Sequence, residues 1–482
     1  MYIDGELVES TSGKTYPNIN PATEEILGYV ADAGTEDMQR AIAAARRAFD
    51  ETDWSTNHDA RLEILDRFAE AIRGAADAVL RPQIVAEVGQ PITVTHGPGC
   101  DTPIEHMQWV LDNAKQYKWD RDIGDAKFGG TTSRRYVWRE AIGVVGAITP
   151  WNFPVQVNLA KVIPALAAGN TVILKPAPDT PWNGTALGKI AHEVGLPPGV
   201  FNVVTAENPA EVGEVLTKDP RVDMVSFTGS TAVGKRIMAN ASETVKKVFL
   251  ELGGKSALIV LDDADFSSAL LMAIGVCFHA GQGCAINTRL LLPRSRYQEG
   301  VDFLTPIFKT IGFGDPTDPS FIMGPVINKT QYEKILGLIQ TGIDEGATLV
   351  AGGGAAENFE KGYFIQPTLF TNVTNEMTIA RQEIFGPVLA VIPFEDDDDA
   401  VRIANDSRYG LSGTIMSESL ERSLAMARRI RTGTLNVNGG LFYAADAPFG
   451  GYKESGIGRE MGIEGFEEYL ETKTVAVPSP GV

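Results

Sequence analysis

Within "GQGCAINTRL", residues 281–290, stands one of only three cysteines in 482 residues. A buried structural cysteine usually keeps aliphatic company and behaves as a small hydrophobe. Cys284 instead follows Gly281 and Gly283 and precedes a polar, basic stretch. Bare flanks leave room for a substrate, and nucleophilic sulfur chemistry needs a thiolate that can be reached. The same glycines would also mark an ordinary turn, and this segment alone leaves both readings open. Cys277 lies in the apolar run "AIGVCFHAG" and reads as core; Cys100 has no motif around it. The odd count, without disulfide or zinc spacing, suggests a reducing compartment.

Several other segments carry polar groups on stiffened or glycine-rich backbone. In "TPWNFP", Thr149 to Pro154, two prolines bracket Trp151, Asn152 and Phe153. Proline fixes φ, so the Asn152 amide is held where it can donate to a developing oxyanion. "LKPAPDTP", Leu174 to Pro181, stiffens another segment beside Lys175, although a lone lysine is more often a solvated charge. "ELGGK", Glu251 to Lys255, offers a carboxylate beside two glycines, the pattern of many surface turns. "QEIFGPV" places Glu383 ahead of Phe385 and a Gly-Pro turn, and "PFGGYKESGIGRE" is a glycine-rich loop ending at Glu460. "GSTAVGK", Gly229 to Lys235, fits seven positions of a phosphate-binding P-loop, but Arg236 stands where magnesium needs Ser or Thr. That excludes nucleotide hydrolysis and keeps pyrophosphate binding at a helix N-terminus. The run "EDDDDA" (395–400) opens a helix, where carboxylates favour the positive end of the dipole, rather than a metal site.

The elements that must position these groups are legible from periodicity. Residues 35–48 and 60–73 read as amphipathic helices, with apolar residues three and four apart. Strand-like runs follow at 142–149, 171–175, 200–204, 223–228 and 246–251, separated by helices at 154–168, 182–194, 210–217 and 231–240. Such alternation predicts an α/β fold with right-handed crossovers and a parallel sheet, whose ligands sit at the strands' carboxyl ends. A second alternating series runs from 287 to 438. Two segments, 132–140 and 469–477, fit neither half; strands without a core often pair with another chain, so a homo-oligomer is expected.

Composition narrows the classes further. A formal net charge of −20 argues against nucleic acid, which needs clustered Lys and Arg. The sequence contains neither a signal-peptide pattern at its start nor an apolar run long enough to span a bilayer. A cytoplasmic protein without metal or membrane partners is the expectation.

Taken in order, "TPWNFP", "FTGS", "ELGGK", "GQGC", "EIFGPV" and "PFGGYKESGIGRE" resemble the aldehyde dehydrogenase superfamily over almost the whole chain. The resemblance implies oxidation of an aldehyde to a carboxylic acid with NAD, NADP also being possible. It implies a dinucleotide-binding domain (1–124 and 143–251), a catalytic domain (252–450) and a small bridging β part (125–142 and 463–482) that builds a homodimer or homotetramer. By motif, Cys284 is the nucleophile, Asn152 the oxyanion donor and Glu251 the general base; Lys161 and Glu460 match proton-relay positions. The cofactor falls to Thr149, Pro150, Trp151, Lys175, Pro178, Gly229, Ser230, Gly253, Glu383 and Phe385. A CoA-acylating relative and a non-catalytic scaffold on the same fold are the rivals; the intact "ELGGK" and the retained Cys284, Asn152 and Glu251 speak against them.

The chain departs from the family pattern at two positions. Pro178 replaces the Glu that contacts ribose in many NAD-preferring members, and His279 replaces a commoner Asn. A structural role is expected of His279, because Glu251 already supplies a base. Val157 and Ala160 are smaller than their counterparts in some relatives, which suggests a medium to large, mainly apolar aldehyde.

Overall fold

A computed structural model describes residues 1–479 of the chain. Strands Val144–Ile148, Thr171–Lys175, Phe201–Val203, Met224–Thr228 and Lys247–Glu251 run parallel. Helices Pro154–Ala167, Pro181–Val194, Pro209–Lys218 and Thr231–Ala241 connect them. Three of these helices begin with proline in the first turn, where its missing N–H costs nothing. The fourth is capped by Ser230, whose Oγ accepts from the Val233 N–H at 3.4 Å. Every residue of Val144–Ile148, Thr171–Lys175 and Met224–Thr228 is buried, as in a sheet covered on both faces.

Strand order reverses on either side of Val144–Ile148: Thr171–Lys175 lies on one flank and Met224–Thr228 on the other. The register sets Ile148 beside Lys175 and Phe227, and Thr228 beside Glu251. Thr149–Asn152, Lys175, Gly229–Ser230 and Glu251 therefore emerge on one rim, at the switch point where such sheets bind ligands. Distant segments complete the sheet: Tyr2–Ile3 and Glu6–Leu7 at one edge, Gly456–Ile457 at the other.

The second sheet orders its strands Thr348–Ala351, Thr368–Thr371, Val388–Phe394, Asn287–Pro293, Ser256–Val260, Gly413–Met416 and Asn436–Val437. All neighbours are parallel except the first pair. Gly253–Gly254 lies just ahead of Ser256–Val260, Cys284 ahead of Asn287–Pro293, and Glu383 ahead of Val388–Phe394. Residues preceding the second sheet's strands thus meet residues following the first sheet's strands around one cavity. Cys100 is buried in the first core and Cys277 in the second. The acidic run opens helix Asp397–Asn405, with Asp396 Oδ1 accepting from the Asp399 N–H at 2.9 Å.

The two stretches that fitted neither half pair with each other, Thr131–Ala141 running antiparallel to Leu470–Pro478. A third strand, Asp120–Phe128, completes this small sheet and begins ahead of the expected boundary at 125. Its sequence, "DRDIGDAKF", is mostly charged and its register slips between Asp122 and Gly124, so no alternation announces it. Among the described residues, no helix is long and apolar enough to cross a membrane, and no group of three His, Cys, Asp or Glu can hold a metal.

Candidate active site

A cavity of about 400 Å³ lies between the sheets, walled by Cys284, Glu251, Asn152, Pro150, Trp151, Gly229, Ser230, Gly253, Glu383 and Phe385. Ten of the fifteen residues singled out in the sequence thus share one space. Thr149, Lys161, Lys175, Pro178 and Glu460 do not line it.

The glycines around Cys284 have a different use from the one their sequence suggests. Gly281 has φ +74°, and a Cβ there would strike the Gly386 carbonyl, so this glycine serves backbone packing rather than substrate access. Gly283 does line the cavity, although the tip of Ile286 covers its Cα from one side. Closest approach comes from "ELGGK": a Cβ on Gly254 would stand 2.6 Å from the Cys284 carbonyl, and one on Gly253 would strike the Glu383 carboxylate. These glycines let three chain segments converge. The turn is buried, not superficial.

Cys284 is partly open to the cavity, with buried Glu251 and Asn152 beside it. Burial first, then the charges of Glu251 and Glu383, hold its thiol well above the ordinary cysteine range. Glu251, 2% exposed, is itself pushed well above the usual carboxylate range by burial and then by Glu460, with Lys161 opposing. Its Oε1 has no hydrogen-bond partner among the described residues. A buried acceptor left open costs free energy unless something mobile meets it. Behind it, Lys161 Nζ donates to Glu460 Oε1 at 2.9 Å and lies 4.6 Å from the Phe249 ring centroid.

Asn152 is held from both ends. Its Nδ2 donates to the Gln282 carbonyl at 2.9 Å, which leaves the second amide hydrogen free. Its own carbonyl accepts from His279 Nε2 at 2.9 Å, with Gln90 Nε2 at 3.4 Å. His279 is fully buried, and burial pulls its imidazole down to about 4, so the ring is neutral and its proton sits on Nε2. It braces the Asn152 turn. His279→Asn should therefore change kcat/KM less than about tenfold, because it removes a brace and no proton-transfer group, and asparagine tolerates the local φ of +50° better. A loss of about 100-fold, the scale of a general base, would restore a Cys–His pair instead.

Toward the first sheet, Glu383 Oε1 accepts from the Gly254 N–H at 2.9 Å, and Phe385 meets Trp151 edge-to-face at 5.4 Å. Lys175 Nζ is buried, has only the Pro176 carbonyl at 3.3 Å, and is pulled down to about 8 by burial. The Asp179 carboxylate beside Pro178 is engaged by Asn328 Nδ2 at 2.8 Å. Lys235, the lysine of the P-loop-like run, pairs with Glu454 at 3.1 Å, away from the cavity. Gln331 and Lys334, from the first turns of helix Lys329–Asp344, line the cavity; no sequence pattern marks them.

The remaining walls are mostly apolar and largely aromatic, with Phe153, Val157, Phe278, Leu441, Phe442, Tyr443 and Phe449, joined by the polar side chains of Gln156, Thr228 and Asn436. Phe442 stacks on Phe449 at 6.0 Å. The loop 438–449 supplying most of them has no periodicity, so sequence reading missed it. Val157 borders this space, but Ala160 lines a separate compartment.

A partly open thiol, an unpaired carboxylate and a fixed amide thus meet in one cavity at the switch point of a parallel sheet, a set of groups able to add to a carbonyl, hold its oxyanion and accept a proton. The chain belongs to the aldehyde dehydrogenase family, whose family model matches residues 7–475, and it is an aldehyde dehydrogenase. It is 43% identical over 479 residues to a 3-succinoylsemialdehyde-pyridine dehydrogenase of Pseudomonas sp., covering 98% of each chain. It superposes with TM-score 0.95 on an aldehyde dehydrogenase of Mycobacterium tuberculosis solved with NAD+, 40% identical over 100% of this chain and 98% of that one. A Staphylococcus aureus betaine aldehyde dehydrogenase, also solved with NAD+, gives TM-score 0.95 at 36% identity over 100% of this chain and 95% of its own.

Proposed function

We propose that this protein oxidises a medium to large, mainly apolar aldehyde to its carboxylic acid, with NAD preferred and NADP accepted. The observation that carries the substrate is the cavity wall, where Phe153, Phe278, Phe442, Tyr443 and Phe449 gather around the space that holds Cys284. The Pseudomonas relative is named for a pyridine-bearing semialdehyde, which agrees with an aromatic wall.

Glu251 stands next to Cys284 and takes the thiol proton as the sulfur adds to the aldehyde carbon. The resulting oxyanion is met by the free amide hydrogen of Asn152 and by the Cys284 backbone N–H. A nicotinamide dinucleotide, when bound, supplies the acceptor for the hydrogen and electron pair that leave the carbon. The residues fit such a group: Gly229–Ser230 presents a helix N-terminus, Glu383, Gln331 and Lys334 offer hydrogen bonds around it, and Lys175 ends the strand that emerges on the same rim. Cys284 then carries a thioester. Glu251, having passed the thiol proton to the Lys161–Glu460 pair, accepts a proton from water as the water attacks the thioester carbon, and the carbon–sulfur bond breaks to release the acid and the Cys284 thiolate. The small sheet joins two or four copies through its outer strands, in a cytoplasmic enzyme.

A panel of aldehydes ranked by kcat/KM, with NAD and with or without CoA, tests the reading. Preference for a two-carbon or charged aldehyde, or a demand for CoA, would overturn it.

Cofactor choice gives a separate prediction. A carboxylate at 178 would bond the ribose hydroxyls of NAD and repel the 2′-phosphate of NADP; Pro178 does neither, and Asp179 is committed to Asn328. No arginine accompanies Lys175 to build a phosphate pocket. Pro178→Glu should lower kcat/KM for NADP about tenfold more than for NAD. An unchanged ratio would mean that position 178 does not face the ribose.

A further inference from the structure

Two cations lie in the interior without a carboxylate partner. Lys255 ends the "ELGGK" turn and Arg289 stands on strand Asn287–Pro293; each is 2% exposed. Arg289 is held by neutral acceptors alone. Its Nε donates to the Lys255 carbonyl at 3.0 Å, Nη1 to Asn375 Oδ1 at 3.1 Å and the Ile403 carbonyl at 3.0 Å, and Nη2 to the Ala404 carbonyl at 3.1 Å. Lys255 Nζ has no hydrogen-bond partner among the described residues. Burial, then the charge of Arg289, pull its ammonium down to about 7. The carboxylates within range are engaged elsewhere: Glu383 accepts from the Gly254 N–H at 2.9 Å, and Asp406 from Arg381 Nη2 at 2.9 Å and Asn375 Nδ2 at 3.0 Å. Lys334 adds a further positive charge on the Lys255 side.

Both cations border a space of about 10 Å³, which Ser256 and Tyr409 share. Ser256 is 3% exposed and its Oγ is also without a partner among the described residues. The Tyr409 hydroxyl accepts from Arg408 Nη2 at 2.7 Å and keeps its own proton to donate. No carboxylate lines this space among the described residues. Room on this scale admits one particle about the size of a water and excludes a phosphate or a carboxylate. A water would meet the donors and leave the charge unmatched, which is costly in a protein interior. A single-atom anion meets both.

We propose that this space binds one halide ion, chloride being the natural one, held by Lys255 Nζ and the Ser256 hydroxyl in the positive field of Arg289. The site is distinct from the Cys284 cavity, whose walls include none of these three residues. Its place in the fold gives the ion a structural task. Ser256 is paired with Asn287 in the second sheet, and Arg289 Nε reaches the Lys255 carbonyl. The ion therefore fastens the segment that carries Glu251 to the strand that follows Cys284.

The test pairs two measurements. Thermal unfolding of the wild type and Lys255→Met is followed in sodium chloride against sodium gluconate at equal ionic strength, and wild-type crystals grown in sodium bromide are measured for anomalous scattering. Linkage predicts a wild-type Tm higher by about 2 °C at a chloride concentration about ten times its Kd, with saturation beyond it. Iodide, being larger, should give a smaller rise. Methionine keeps the apolar length of the side chain without the charge, so the variant should show no chloride-specific rise, and bromide should give an anomalous peak beside Lys255 Nζ and Ser256 Oγ. If Lys255→Met does not fold, Ser256→Ala, which should reduce the rise, and the bromide map decide. Density for a water only, without an anomalous peak, overturns the site, as does an equal chloride-specific rise in folded Lys255→Met. A bromide peak with no chloride-specific rise in solution is binding at crystal concentration only and overturns it as well.

Discussion

Cys284→Ala should abolish aldehyde-dependent reduction of NAD, by about 10⁴-fold or more, the scale on which loss of a catalytic nucleophile falls. Nothing else at the centre of the cavity can replace it. Glu251 is a poor nucleophile, held toward its neutral form by burial, and the other two cysteines are packed in separate cores. Burial drives the Cys277 thiol up to about 12 and that of Cys100 to about 11, with no route to substrate. Cys100→Ala and Cys277→Ala should therefore keep most activity and lose about 1 kcal/mol of stability each, as modest core truncations do. Steady-state NADH formation, with thermal unfolding as a control, reads all three. Near-normal turnover by folded Cys284→Ala protein would sink the covalent mechanism.

How much of this was legible beforehand follows from which forces act locally. The central strands of the first sheet are short runs rich in Val, Ile, Leu and Phe because both faces are buried, and their helices start at prolines or at Ser230, so the sequence pattern locates them closely. Asn152, Glu251 and Cys284 were findable because each sits in a short stretch of unusual composition. Asp120–Phe128 was not, since an exposed charged strand beside one partner needs no apolar alternation. Gln331, Lys334 and the 442–449 aromatics enter the site only through tertiary contact, and no local pattern encodes that. The purpose of Gly281 was misread for the same reason: its neighbour, Gly386, is over one hundred residues away.

Glu251→Gln should slow the turnovers that follow the first more than the first itself, and keep the amplitude of that first turnover. Glutamine keeps the volume of the side chain but cannot accept a proton from water, so the thioester on Cys284 persists. Rapid mixing of enzyme, NAD and aldehyde should then give a burst of NADH near one per active site, followed by turnover about 100-fold or more below wild type. The pH dependence has a definite sign. Burial and the charge of Glu460 raise the Glu251 carboxyl, so it is protonated and idle at low pH and becomes a base only as pH rises through its raised value. Wild-type turnover should climb over that range wherever hydrolysis limits the rate, and the glutamine variant should lose this limb. The structure also places Glu251 against the thiol, which makes the size of the burst informative. If the rate of the burst falls as far as turnover does, Glu251 acts chiefly by drawing the proton from Cys284. A burst of wild-type rate with slow turnover assigns it to the water. Unimpaired turnover with a flat or unchanged pH profile would remove Glu251 from the mechanism altogether.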